Sequence, residues 1–441
     1  MTKVIDSQDT FPGTSFLAVE AYFEPAIDSQ GNIAVISSSR EIYRIPLSGI
    51  SEQIVGGDTP ILDPLNDFSW LRSPDIEADR LFFYGDTASG DGIFKATVNG
   101  QVTPLVAPDD TLPGLTENQQ RFIVPIFGSD GKNVSLTART GGPNSASAVY
   151  SINNGLLQVV ADSNTLIPNE ADRFDLFSLS DISGQNVLFS GEKIGGQQGI
   201  YLSRNGVLET VIDNTTPIPN GPGTFRILAP APPNPKNPSP FPSSSTLVSW
   251  LSLDGDKYTF TAFDANGEFG GLYTNLGGTL RPVFDTNTLI PGMTDTFSLV
   301  GSELDPVSFL AFPAISGDII AFQSFMPVEP AESNNFFDVQ PQGIYAEISG
   351  DLQKIVDVND TLDGKAIRSL GFFSTNALSD NFLVFSAEFE DGVEALYRVE
   401  FDKASDSPVS VPEGSAVWGL AAIAGLMTIT RLRSRLPLKK A

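Results

Sequence analysis

One phrase recurs along this chain and limits what it can fold into. It first reads Val4-Ile5-Asp6-Ser7-Gln8-Asp9-Thr10 and returns, with variations, ahead of Thr59, Thr111, Thr165, Thr216, Thr288 and Thr361. The intervals are roughly 50 residues and widen to roughly 70 for the last two, the mark of a repeat architecture rather than of unrelated domains. Between one phrase and the next the order of features is constant. An anchor comes first: Phe16, Phe68, Phe122, Phe174, Phe225, Phe297 or Ile367. A second apolar run follows, such as 187–190, and then a run with an aromatic, such as Ile200-Tyr201 or Ile344-Tyr345. Asn99-Gly100, Asn154-Gly155, Asn205-Gly206, Gly277-Gly278 or Ser349-Gly350 then lead into the next phrase. Short β-branched and aromatic runs read as strands. Asn-Gly and Gly-Gly supply the positive φ of tight hairpins.

Four antiparallel strands per unit at this spacing predict a propeller blade. We label the strands a to d from the anchor to the phrase. Six full sets follow the first phrase, and a seventh supplies a, b and c over 367–401 but no d. The missing strand is expected at the amino terminus, in Lys3-Val4-Ile5, so that the chain closes its own ring and leaves no open edge. The expected fold is therefore an all-β, seven-bladed β-propeller over 1–401. Insertions at 229–242, around 302–306 and at 326–342 read as loops.

Composition excludes much chemistry. The chain has no Cys and no His, so no disulfide, thiolate site, His-based triad or histidine base can form. The formal charge of −27, more negative still in the body ahead of a basic carboxyl end, repels nucleic acid. Asp6, Asp9, Asp109, Asp110, Asp357 and Asp360 fall in the Asp-rich crossings between units. They offer oxygens of the kind Ca²⁺ takes. The competing role is local, because Asp, Asn and Thr bond their own backbone in turns. A carboxylate pair hydrolysing glycans is the enzyme class left open. The acidic run Glu388, Glu390, Asp391 and Glu394 falls in an expected hairpin, where a solvated charge cluster is the default.

The last residues differ in kind. A polar linker, 402–410, precedes Val411-Pro412-Glu413-Gly414-Ser415 and an apolar run, 416–430, that includes Ala416, Trp418, Leu420, Ile423, Leu426 and Ile429. A basic end follows with Arg431, Arg433, Arg435, Lys439 and Lys440. This order resembles the PEP-CTERM sorting tail of bacterial exported proteins, the substrates of exosortases. The family's Pro-Glu core falls on Pro412 and Glu413, and Gly414 stands where its second proline is usual. The resemblance implies a sorting or processing partner for 411–441, an exported protein at the cell surface or in an extracellular matrix, and a polysaccharide-rich setting. As a helix the apolar run would rise ~22 Å, short of the ~30 Å hydrocarbon core, which suits a stop-transfer or processing signal with its basic end cytoplasmic. No signal peptide is visible in 1–13, which places the expected start upstream or makes a tail-anchored intracellular scaffold the competing account. The combined expectation is a non-catalytic binding module with no resident cofactor, taking a polysaccharide or protein ligand and meeting the membrane through its tail.

Overall fold

The structure is a computed structural model. It describes residues 1–9, 24–37, 41–47, 51–56, 68–87, 89–98, 100–115, 121–123, 127–140, 146–193, 196–226, 250–266, 269–297, 312–326, 340–372 and 375–402. Contacts divide the chain into one unit, Met1–Glu400, and a second, Phe401–Ala441. The second unit beyond Asp402, with the Val411-Pro412-Glu413 motif, the apolar run and the basic end, lies outside the described residues. The expected carboxyl-terminal helix therefore has no counterpart among them. No described helix is long and apolar enough to cross a membrane.

The first unit consists of seven antiparallel sheets. They occupy 26–55, 68–106, 121–162, 174–213, 225–285, 313–357, and 365–400 together with Thr2–Asp6, and are called blades 1 to 7. Blade 4 is the plainest, with Phe174–Ser183, Asn186–Lys193, Gln198–Arg204 and Val207–Asp213 paired in chain order. Blade 7 carries the expected closure: Thr2–Asp6 lies antiparallel to Glu394–Glu400, with Lys3 opposite Tyr397 and Ile5 opposite Leu396. Ser7 seals the join, its amide donating to the Glu394 carbonyl at 2.7 Å and its hydroxyl accepting from the Glu394 amide at 3.1 Å.

The c–d ladder holds a detail the repeat did not announce. In every blade one residue of the outer strand is skipped opposite the c-strand aromatic pair. Ile42 faces Val55 and Tyr43 faces Gln53, passing over Ile54. Ile200 faces Ile212 and Tyr201 faces Thr210, passing over Val211. In blade 7 Leu396 faces Ile5 and Tyr397 faces Lys3, passing over Val4. The amino-terminal strand thus repeats the bulge of the other outer strands. Such bulges add one unpaired residue and sharpen the local twist. The backbones come so close there that a Cβ on Gly271 would sit 2.2 Å from the Phe284 carbonyl oxygen.

Aromatic anchors fill the blades. Phe174, Phe189 and Tyr201 meet with centroids 4.8–5.9 Å apart, Phe174 edge-on to both partners. Phe225, Phe260 and Tyr273 repeat this triad in blade 5, and Phe297, Phe322 and Tyr345 in blade 6. Offset and edge-to-face rings gain energy beyond area burial. The cores lie between neighbouring sheets, as where Leu188, Ile200 and Ile212 of blade 4 pack with Phe225 and Phe260 of blade 5. Among the hairpins, Asn154-Gly155 and Asn205-Gly206 have φ of 52° and 79°, and 49° and 83°, as a primed turn requires. Gly277-Gly278 instead sits in a longer connection from Thr274 to Arg281. The first and second insertions, at 229–242 and around 302–306, lie outside the described residues. The third is shorter than expected, because Met326 pairs with Gln340 and leaves 327–339 outside.

Candidate functional site

The Asp-rich crossings are turns built from their own carboxylates. Asp162 Oδ1 accepts from the Asn164 amide at 2.9 Å and from the Thr165 hydroxyl at 2.8 Å, while that hydroxyl accepts from the Asp162 amide at 3.0 Å. Asp213 with Thr216 and Asp285 with Thr288 repeat this lock. In Asp6–Asp9 and Asp357–Asp360 a second aspartate takes the threonine's place: Asp9 Oδ2 accepts from the Asp6 amide at 3.0 Å and Asp360 Oδ2 from the Asp357 amide at 2.9 Å. These two turns, unlike the threonine ones, have a lysine three residues upstream. Lys354 Nζ lies 3.2 Å from Asp357 Oδ2 and 3.0 Å from Asp360 Oδ1, and Lys3 Nζ lies 2.9 Å from Asp6 Oδ2. The extra negative charge is met by an ammonium from the same strand. Burial lowers the Lys354 pKa, but the two carboxylates outweigh it and the net shift is upward. Asp109 and Asp110 lie in a related turn that has Ala107 in the first position and no lysine three residues upstream of it, where Asp110 Oδ2 accepts from the Ala107 amide at 2.6 Å. No group of three or more metal-ligating side chains occurs among the described residues. Replacing Lys354 by Met leaves the buried Asp357 carboxylate without its cation. The expected cost is about 2 kcal/mol in urea unfolding; an unchanged midpoint would count against the lysine's role.

The inner strands position a different set of groups. All seven blades contribute to one central cavity of ≈ 160 Å³ at their a–b turns. The turns are tied to one another by a belt in which a side chain of one blade accepts from a backbone amide of the next. Asp28 Oδ2 accepts from Ala78 at 3.2 Å, Asp130 Oδ2 from Gly184 at 2.7 Å, and Asp181 Oδ2 from Leu253 at 2.7 Å. Asp254 Oδ2 accepts from Gly317 at 2.6 Å and Ser316 Oγ from Asp380 at 2.8 Å. Arg398 Nη1 donates to the Gly31 carbonyl at 2.9 Å and joins blade 7 to blade 1.

Two members of this ring stand out, Asp75 and Asp181, each only 5% exposed. Burial pushes the carboxyl of each up to about 7, helped by the other acids around the cavity. Asp181 is held on both oxygens, by the Ile182 and Leu253 amides at 2.8 and 2.7 Å. Hydrogen bonding from Ser129 and from the Gly131 amide offsets part of the burial of Asp75, and its buried Oδ2 has no hydrogen-bond partner among the described residues. Sequence reasoning missed both residues. It weighed cation binding against a turn role at the blade crossings and read 388–394 as a solvated charge cluster, where the structure pairs Glu388 with Arg368 at 2.7 Å and Asp391 with Lys365 at 2.9 Å.

No family model matches the chain, and no curated protein does. Among solved structures it is similar to an acylaminoacyl peptidase of Pyrococcus horikoshii, with 10% identity and a TM-score of 0.44 over 85% of this chain and 52% of that one. The chain thus spans about half the length of that peptidase. It is also similar to the β-propeller domain of the Trilobed protease from Pyrococcus furiosus, with 10% identity and a TM-score of 0.41 over 78% and 86% of the two chains. That domain is described as having an open velcro topology. The Aleuria aurantia lectin follows with 10% identity and a TM-score of 0.36, over 77% and 96%.

Proposed function

We propose that this protein is an exported bacterial propeller that works as a non-catalytic binding or scaffold module at the cell surface or in the matrix, delivered through its 411–441 tail. The observation that carries the binding role is the central cavity, where the seven-fold repeat is broken by two carboxylates that ring closure alone does not require. The tail's Pro412-Glu413 core, apolar run and basic end support the address. A glycan hydrolase is the second reading, and the Asp75–Asp181 pair is what favours it. Acid–base work needs two carboxyls with opposed environments, one pushed up and one left low. Here burial pushes both the same way, and backbone amides hold both oxygens of Asp181.

Fractionation of the native cells tests the address. The full chain is expected with the envelope and open to protease added to intact cells, and a chain lacking 411–441 is expected in the soluble fraction. A protease-shielded full chain would overturn export in favour of the intracellular scaffold.

A further inference from the structure

We propose that the central cavity is a binding site for a primary alkylammonium group, with the Asp75 and Asp181 carboxylates as its counter-charges. This rests on the binding role above and gives that role a ligand class.

The first support is the register of the inner strands. The residue before the cavity-facing Ile27, Ile76, Ser129, Ile182, Leu253, Ile315 or Leu378 occupies one equivalent position in each blade. It is small in five blades: Ala26, Gly128, Ser252, Ala314 and Ala377. Blades 2 and 4 alone place an acid there. Ser252 meets the demands of the belt as a neutral side chain, accepting from the Ile315 amide at 3.3 Å. The packing has made room for the acids: a Cβ on Gly128, in the blade between them, would lie 2.4 Å from Asp181. The backbone also bends ahead of each acid. The a–b ladder slips between Arg72 and Asp75 in blade 2, where Ser73 has φ 46°, and between Phe177 and Ser180 in blade 4. Bulges of this kind re-aim a strand end, and an unfavourable φ persists where the surroundings enforce it.

The second support is the unpaired oxygen. Buried polar atoms nearly always find partners, and a carboxylate oxygen without one marks a missing donor. Three further acids, Glu77, Asp130 and Asp254, face the same space, and no Lys or Arg is among the described residues that line it. Glu77 and Asp130 act on Asp75, and Asp75 and Asp130 on Asp181. A low-dielectric funnel lined with one sign of charge concentrates the opposite one.

The third support is shape. Ile27, Ile76, Ile182, Leu253, Ile315 and Leu378 give the cavity an aliphatic wall. A charged head on a methylene stem matches carboxylates set among such side chains. A volume of ≈ 160 Å³ is close to that of cavities that hold a benzene-sized group. An ammonium offers three donors, and the carboxylates and serine hydroxyls lining the cavity are acceptors of the matching kind. Ca²⁺ asks for six to eight oxygens gathered on one centre, and no group of three or more carboxylates is so gathered among the described residues.

Calorimetry on the full chain in low salt tests the proposal with n-butylammonium, n-butanol and Ca²⁺ as probes. Butylammonium is expected to bind at pH 8, at least tenfold more weakly at pH 5.5 as the carboxyls take up protons, and n-butanol not at all. Asp75→Asn should weaken the amine at least tenfold, while Glu390→Gln, on the blade 7 hairpin, should leave it unchanged. A rise in the wild-type melting temperature with amine at pH 8, absent at pH 5.5, reads the same site without any variant. No butylammonium binding, unaltered affinity in folded Asp75→Asn, or Ca²⁺ binding that the amine does not displace would each overturn the proposal. Loss of amine binding with envelope location intact removes the ligand class alone; the reverse removes the address alone.

Discussion

Deletion of Thr2–Ser7 is expected to cost on the order of 5 kcal/mol of stability and roughly 10 °C in melting temperature. The strand supplies the outer edge of blade 7, and its removal takes away a ladder of backbone bonds and the burial of Ile5, which is 7% exposed. It also removes the Ser7 bonds to Glu394. The freed edge of Glu394–Glu400 becomes a template for other chains, so aggregation on heating should rise as well. Ile5→Ala gives a graded version, expected at about 3 kcal/mol. Removing 411–441 should change the melting temperature far less. Equal losses from the two truncations would contradict closure of the ring by the amino-terminal strand.

This closure was legible because Lys3-Val4-Ile5-Asp6 copies Lys354-Ile355-Val356-Asp357, and a copied strand needs a copied neighbour. The Asn-Gly turns were legible for a local reason, since only a few residues accept their φ. The c–d bulge left a trace in the same phrases. Two apolar residues in a row, as in Val211-Ile212, break the alternation of an ordinary strand, but that break does not reveal which partner is skipped. The cavity acids were not legible at all. Aspartates abound in the a–b turns, and Asp28, Asp130 and Asp254 cap or link turns there. Only the three-dimensional register separates Asp75 and Asp181 from them, because their burial is made by neighbouring blades 50 or more residues away. The lysines were within reach of sequence reasoning: Lys-x-x-Asp-x-x-Asp appears in the Asp-Asp phrases at Asp6 and Asp357, and the Asp-Thr phrases lack it.

The buried acids should also write themselves into the pH dependence of folding. An aspartate that titrates at 3.8 when unfolded and at about 7 when folded holds its proton more tightly in the native state. Below pH 4 both states are protonated and there is no penalty. As the pH climbs from about 4 to about 7 the unfolded chain ionises first, so the native state loses ground, by up to about 4 kcal/mol for a three-unit shift, and above that window the loss is complete. Asp181 carries a shift of the same sign and feels Asp75, so the two titrate as a pair. Other carboxylates pull the opposite way. Lys3 holds the Asp6 carboxyl below its usual range, and Thr215 and Thr216 do so for Asp213, each against the cost of partial burial. Their contribution fades as the pH falls through the acid range, so the wild-type curve is a sum of both trends. The difference between wild type and Asp75→Asn isolates the cavity. The variant should match wild type near pH 4 and exceed it by about 2–4 kcal/mol at pH 8, where it no longer buries that charge. Urea unfolding at a series of pH values measures this, and two parallel curves from pH 4 to 8 would mean that Asp75 is not held against its charge. Saturating butylammonium should close the gap at pH 8 from the wild-type side, because a bound cation stabilises only the folded chain that still carries the carboxylate.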